Sequence, residues 1–398
     1  MPRHIIFVTA FVTCALGTSA EGQDPNPFES GLALYRENKI EAALPLFEAA
    51  AESQPENAEV RAYLAETLRR LDRHTEAYEH ARAILARVPC HSFAHTILGF
   101  IYAPQFSGWE HPNADSAWAH FLAAVECDAD FGEAWLMVLF EAMRRGEHAL
   151  EERALRRIVE TGFLTPATLA YNRWVLTTLP DRALLLTNGD WDTYPVLALQ
   201  VVEQLRSDVA VVNISMLQLP WYVRVVHERY GMPLGYDPDF PVWVSRIIGN
   251  WRRMSVQGEF GRPLHAALTV AQSSVEGLAG TWQLAGPSWR LVASQYPVSV
   301  DTAAVRTALE GLQAGDLVGP ATSPADRSPL RIAAGNSFPF NALYVASQYG
   351  YALLENGRWA EAEQGADWAD AFVVQAGIPD SQEYVDELRK AVEERRPE

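Results

Sequence analysis

Two hydrophobic patterns divide the chain. In the first 160 or so residues, small and large apolar side chains recur at helical spacing, in pairs of amphipathic segments joined by short polar turns. Further along, short apolar runs take over. Residues 183–186 end in the polar turn Thr187-Asn188-Gly189-Asp190-Trp191-Asp192-Thr193, an amphipathic segment covers 195–205, and a second apolar run covers 209–214. Short apolar runs flanking a helix predict a parallel βαβ unit. Later strands are expected at 263–270 and 288–293, and helices at 221–230, 241–253 and 301–312, the last capped by Asp301. Thr165 and Pro166 open another helix, running to about Leu179, as cap and first residue. Residues 315–328 read as a loop. Gly350, Gly357, Trp359 and Ala362 then predict a helical hairpin, with a closing helix from about Ser381.

The N-terminal pattern is periodic. Pro55 and Pro89 stand 34 positions apart, as do Ala43 and Ala77, and Gly31, Ala65 and Gly99 step by the same interval. This is the tetratricopeptide period, with small residues where two helices of a hairpin cross. An insertion over 105–115 interrupts the third repeat, and a degenerate fourth runs from Phe131 through Trp135 and Gly146 to about Thr161. Stacked hairpins bury their apolar faces against one another and curve into a solenoid with a concave face. Tyr35, Arg69, Phe100 and Phe140 are expected on that face as contacts for a protein or peptide partner. The alternative is that the groove receives the following domain of the same chain.

The composition narrows the partners. A formal charge of −18 argues against unassisted binding to nucleic acid or anionic lipid. Lys39 and Lys390 both lie outside the central unit, which argues against Schiff-base chemistry there. Residues 1–20 have the order of a signal peptide: basic Arg3 and His4, an apolar stretch over 5–16, and Thr18-Ser19-Ala20 as cleavage site. Thr13 before Cys14 is a poor match to a lipoprotein anchor. No later run has the ~20 apolar residues of a membrane helix. The mature chain is therefore expected to be exported, to the periplasm or beyond, where Cys90 and Cys127 either pair or stay as buried thiols. His91 and His95 stand one helical turn apart, but no acidic residue accompanies them, so they read as surface and capping histidines.

The candidate chemistry lies at the carboxyl ends of the first two strands, where polar groups of βαβ units converge. Asn188, Asp190, Asp192, Asn213, Trp221 and Tyr222 make up the candidate ligand site. Asp190 and Asp192 flank one residue, and oxygen ligands at that spacing suit Mg²⁺ or Mn²⁺ bridging a phosphate. The competing reading is structural: Asp and Asn favour turns, and Asp192 or Thr193 would cap the following helix. No Gly-rich phosphate loop, nucleophile elbow, paired-cysteine motif or zinc-protease helix is present.

The stretch from Leu186 to Pro195 resembles a motif in the soluble tails of large bacterial multi-pass proteins of the protein O-mannosyltransferase-like class. The resemblance continues through Arg206-Ser207-Asp208-Val209, Asn213-Ile214-Ser215 and Pro220-Trp221-Tyr222, and more faintly to about Phe372. That family usually has Asn where Trp191 stands and Phe where Tyr194 stands. The membrane part that carries glycosyl transfer in that class is not in this sequence, so the resemblance implies a shared soluble α/β module and does not by itself imply a transferase.

The expected architecture is thus a leader (1–20), a tetratricopeptide α-solenoid (24–162), a small α/β domain with a mostly parallel sheet (165–315), and a C-terminal helical hairpin with a closing helix (335–398). The expected function is an exported binding or scaffold protein that engages a protein partner or braces its own α/β module, with no resident cofactor. The alternative is a metal-assisted enzyme, or a non-catalytic module, for a glycan or phosphorylated sugar at Asp190 and Asp192.

Overall fold

The computed structural model describes residues 26–233, 244–275, 280–294, 300–318 and 337–396. The leader lies outside these residues, as does most of the loop expected at 315–328. The first hairpin is α1 (Pro27–Arg36) with α2 (Ile40–Ser53), and the second α3 (Ala58–Arg70) with α4 (His74–Arg87). The third is α5 (Ser92–Tyr102) with α6 (Ala114–Cys127), and the fourth α7 (Gly132–Arg145) with α8 (His148–Glu160). Asn26, Asn57 and Asn113 cap their helices by accepting from backbone N–H groups of the first turn. The small residues do the work their period implies. A Cβ on Gly99 would lie 2.3 Å from the Phe121 ring, and one on Gly31 would lie 3.0 Å from Phe47. Both rings are fully buried.

The insertion folds back onto the array. Trp109 packs 4.9 Å from Tyr78 and 5.2 Å from Tyr102, and Gln105 Nε2 donates to buried Glu141 at 3.0 Å. Cys90 and Cys127 are joined by a disulfide, with their Cα atoms 5.1 Å apart. It ties the start of α5 to the end of α6.

After α9 (Pro166–Thr178) comes a five-stranded sheet of β1 (Leu184–Thr187), β2 (Ala210–Asn213), β3 (Leu264–Ala267), β4 (Thr281–Leu284) and β5 (Ser288–Val292), in the order β2-β1-β3-β5-β4. β1 runs parallel to both β2 and β3, whereas β5 is antiparallel to β3 and to β4. The sheet is therefore mixed, but only β5 runs against the other four. β1 and β2 are buried along their whole length, as continuous apolar runs require. β4 escapes the apolar pattern because it is an edge strand, with Trp282 and Leu284 buried and Thr281 and Gln283 half-exposed.

Helix α10 (Asp190–Val202) links β1 to β2, and α11 (Pro220–Tyr230) and α12 (Val244–Val256) lie between β2 and β3. One turn, α13 (Gln272–Val275), follows β3, and α14 (Thr302–Glu310) follows β5 with Asp301 as its cap. The C-terminal hairpin is α15 (Ser337–Glu355) and α16 (Trp359–Ala376), closed by α17 (Gln382–Arg395). Its helices meet at Gly350 and Gly365, where a Cβ on Gly365 would lie 3.0 Å from the Gly350 Cα. Tyr171 of α9 stacks on Phe338 of α15 at 4.6 Å and accepts from Asn341 at 3.0 Å. Among the described residues, no helix is long and apolar enough to cross a membrane.

Candidate functional site

The acidic turn sits where β1 gives way to α10, with Gly189 as the helix cap. Asp192, at the third helical position, turns its carboxylate back on the turn. Oδ2 accepts from the Asn188 N–H and Oδ1 from the Gly189 N–H, each at 2.8 Å, and Thr269 Oγ1 also donates to Oδ2. This is the carboxylate half of a capping box. Burial raises the Asp192 pKa, opposed by the hydrogen bonds from Thr269, Asn188 and Gly189. Because both oxygens are engaged in this way, the turn offers one free carboxylate rather than the converging pair expected of a Mg²⁺ or Mn²⁺ site. Among the described residues, no group of three or more His, Cys, Asp or Glu is placed to hold a metal.

Asp190 is the free one. It is exposed and has no hydrogen-bond or ion-pair partner among the described residues. Enough protein surrounds its carboxyl that desolvation, followed by the charge of Asp192, pushes its pKa up to about 6. Exposed Asn188 stands two positions before it, its carbonyl accepting from Ser215 Oγ at 2.8 Å. The sheet order reverses between β1 and β3, and the Asp192–Thr269 bond joins the loops that follow these two strands. In open α/β sheets that is where ligands bind.

The other expected ligand residues are structural here. Asn213 is buried; its Oδ1 accepts from the N–H groups of Ser215 and Met216, and its Nδ2 donates to Thr193 Oγ1. Buried Tyr222 accepts from the Asn213 N–H at 2.9 Å. Trp221 packs edge-on against Phe140 of the array, ring centres 5.3 Å apart.

The inner face of the array also departs from expectation. Tyr35 is only 2% exposed, wedged edge-on between Phe47 and Tyr63, so it is a core residue and offers no contact surface. Arg69 spends its guanidinium on Glu66 through two bonds of 2.7 and 2.6 Å, and lies 4.5 Å over the Phe100 ring. Phe106 of the insertion packs against both Phe100 and Phe140, at 5.7 and 5.2 Å. Trp221 then closes on the now buried Phe140. Around Phe100 and Phe140 the face is covered by the chain's own side chains.

The array and the α/β module meet through further residues that periodicity does not single out. Arg229 of α11 reaches buried Glu151 of α8 at 2.7 Å, and Phe163 stacks on Trp191 at 5.7 Å. Neither pair has a local pattern to reveal it. Of the two histidines, His91 is the capping residue expected, its Nδ1 accepting from the Ala94 N–H at the start of α5, while half-buried His95 faces His120 of α6.

Residues 34–91 match the tetratricopeptide-repeat family model, and residues 168–232 match the model of TMEM260-associated domain 2. The second match spans most of α9 through α11 and so falls on the turn that carries the resemblance to the O-mannosyltransferase-like tails. No curated protein matches the chain. Among solved structures, the crystal structure of a thermophilic TPR protein in Thermus thermophilus is 19% identical. It covers 52% of this chain and 96% of its own, with a TM-score of 0.34. The chain thus carries tetratricopeptide repeats ahead of a small mixed α/β sheet and C-terminal helices, and repeats of this kind imply a protein-interaction or scaffold role.

Proposed function

We propose that the protein is an exported scaffold whose repeat array braces its own α/β module and turns the surfaces left free towards a protein partner. The observation that carries this reading is the contact of the last hairpin with the module, where Phe140 is covered by Phe106 and Trp221 and buried Glu151 pairs with Arg229. A buried carboxylate is costly unless paired, so the Glu151–Arg229 contact ties the two parts together. The leader-like start and the Cys90–Cys127 bond support export to an oxidising compartment. Mass spectrometry and thiol labelling of the envelope-localised protein test this. Cleavage after Ala20 with Cys90 and Cys127 inert to maleimide is expected; an intact N-terminus with two reactive thiols contradicts export.

One observation favours a second reading, a ligand site at the switch point: Asp190 is exposed and unpaired, with a pKa pushed up to about 6. The ligand would be a hydroxyl-rich sugar gripped by Asp190 and Asn188, without a metal held by Asp192. Thermal unfolding with sugars and sugar nucleotides tests it. At a hundredfold the dissociation constant, binding adds about 2.7 kcal/mol to the folded state. Loss of that shift in Asp190→Asn supports the site, and no shift with any sugar removes it.

A further inference from the structure

The third hairpin holds a histidine pair that neither the bracing role nor the acidic turn uses. His95 of α5 and His120 of α6 face each other with Nδ1 atoms 2.9 Å apart, and His95 Nε2 lies 3.0 Å from the Pro89 carbonyl. A carbonyl only accepts, so His95 carries its hydrogen on Nε2 and its Nδ1 is an acceptor. His120 must then donate from Nδ1, leaving the lone pair on its Nε2. The relay runs from Pro89 through His95 to His120 and fixes both tautomers. The Tyr102 ring lies parallel to His120, 9° apart in plane and 5.6 Å in centre, and Tyr102 also packs on Trp109 of the insertion.

One proton leaves a single N–H between the two Nδ1 atoms and the contact intact, whereas a second sets N–H against N–H and two cations across 2.9 Å. Among the described residues, Arg82 of α4 acts on His120 and the Tyr102 ring stacks on it, with Tyr78 of α4 behind Tyr102. No carboxylate acts on His120 among the described residues. Burial, then His95, then Arg82 hold the His120 pKa down at about 4. The sign follows: an unfolded histidine takes up its proton near 6.5, the folded one only near 4, so stability is complete above the first value and declines between the two.

We propose that the His95–His120 pair is a proton-operated latch on the third repeat, closed until both histidines carry a proton and released in acid. Opening parts α5 from α6 at mid-height and frees residues 103–113 from Tyr78 and Tyr102, while the disulfide keeps the hairpin ends joined.

Hydrogen exchange of the oxidised full-length protein, corrected for intrinsic rates, tests it at about pH 7 and about pH 4. In the wild type, peptides within 92–127 should lose about tenfold protection on acidification while α1 and α2 change little. In His95→Gln and in His120→Asn that ratio should fall to near one, even if either variant is less stable throughout. An unchanged ratio in the wild type, or the same acid response in both variants, overturns the latch. Imidazole nitrogen shifts at neutral pH give an independent check: His95 should be the Nε2–H tautomer and His120 the Nδ1–H tautomer, and the reverse assignment overturns the relay.

Discussion

The repeat array and the α/β module bury similar kinds of side chain but hold them by contacts of different reach. In the array, Gly99 meets Phe121 within one hairpin, and Phe47 stacks on Tyr63 of the next. In the module, Asp192 is satisfied by Thr269 from 77 positions away, and Trp174 Nε1 donates to the Ala308 carbonyl across 134. A solenoid of nearest-neighbour contacts can loosen one repeat at a time. A sheet built on distant contacts loses them together. This difference suits the array to the bracing role proposed for it, with short-range contacts holding its own shape and its last hairpin packed on a module that depends on distant ones.

The largest expected effect is on the array alone. Cys90 and Cys127 are 37 positions apart, and reducing the bond releases a loop of that size, worth about 4 kcal/mol in the chain-entropy view. Urea unfolding with and without reductant should show that loss in the helical signal. Next comes the junction. Arg229→Ala leaves buried Glu151 with only the exposed His148 at 3.6 Å and should cost about 2 kcal/mol, read as a lower unfolding midpoint for array and module alike. If only one of them responds, the two are not coupled there. Gly99→Ala, with its Cβ forced to 2.3 Å from Phe121, should cost about 2 kcal/mol despite alanine's better helix propensity. Gly31→Ala, at 3.0 Å from Phe47, should stay within about 1 kcal/mol, so equal costs would contradict the packing account.

The two aspartates of the turn should part company. Asp192→Ala strands the Asn188 and Gly189 N–H groups and should cost about 1.5 kcal/mol. Asp190→Asn should stabilise the fold above about pH 6 and be neutral below about pH 4. The folded Asp190 takes up its proton near 6, and an unfolded aspartate near 3.9. Its contribution to stability is therefore greatest below the lower value and lost as pH rises through the upper one. Unfolding of wild type and Asp190→Asn across that window should converge at low pH, and parallel curves would remove the charge effect.

The period of small residues made the solenoid legible, because helix crossings demand them whatever the partner. The runs around the acidic turn made β1, α10 and β2 legible for an equally local reason. The roles within the turn were not. Asp190 and Asp192 are the same residue type two positions apart, and what separates them is the position of Asp192 one turn into α10 with Thr269 delivered from another loop. Tyr35 and Phe140 look like surface contacts on a repeat wheel. They become core because Tyr63 and Trp221 close over them, and the second of those arrives from a different part of the fold.

The most direct test of the bracing claim is hydrogen exchange across the whole chain in Phe140→Ala, which alters the array and leaves the sequence of the module intact. If α7 braces the module through Trp221, amides of β1, α10 and β2 should exchange about tenfold faster than in the wild type, with α1 to α4 unchanged. Faster exchange confined to α5 through α8, with the sheet untouched, would contradict the account and leave the repeats a neighbour of the module rather than its support.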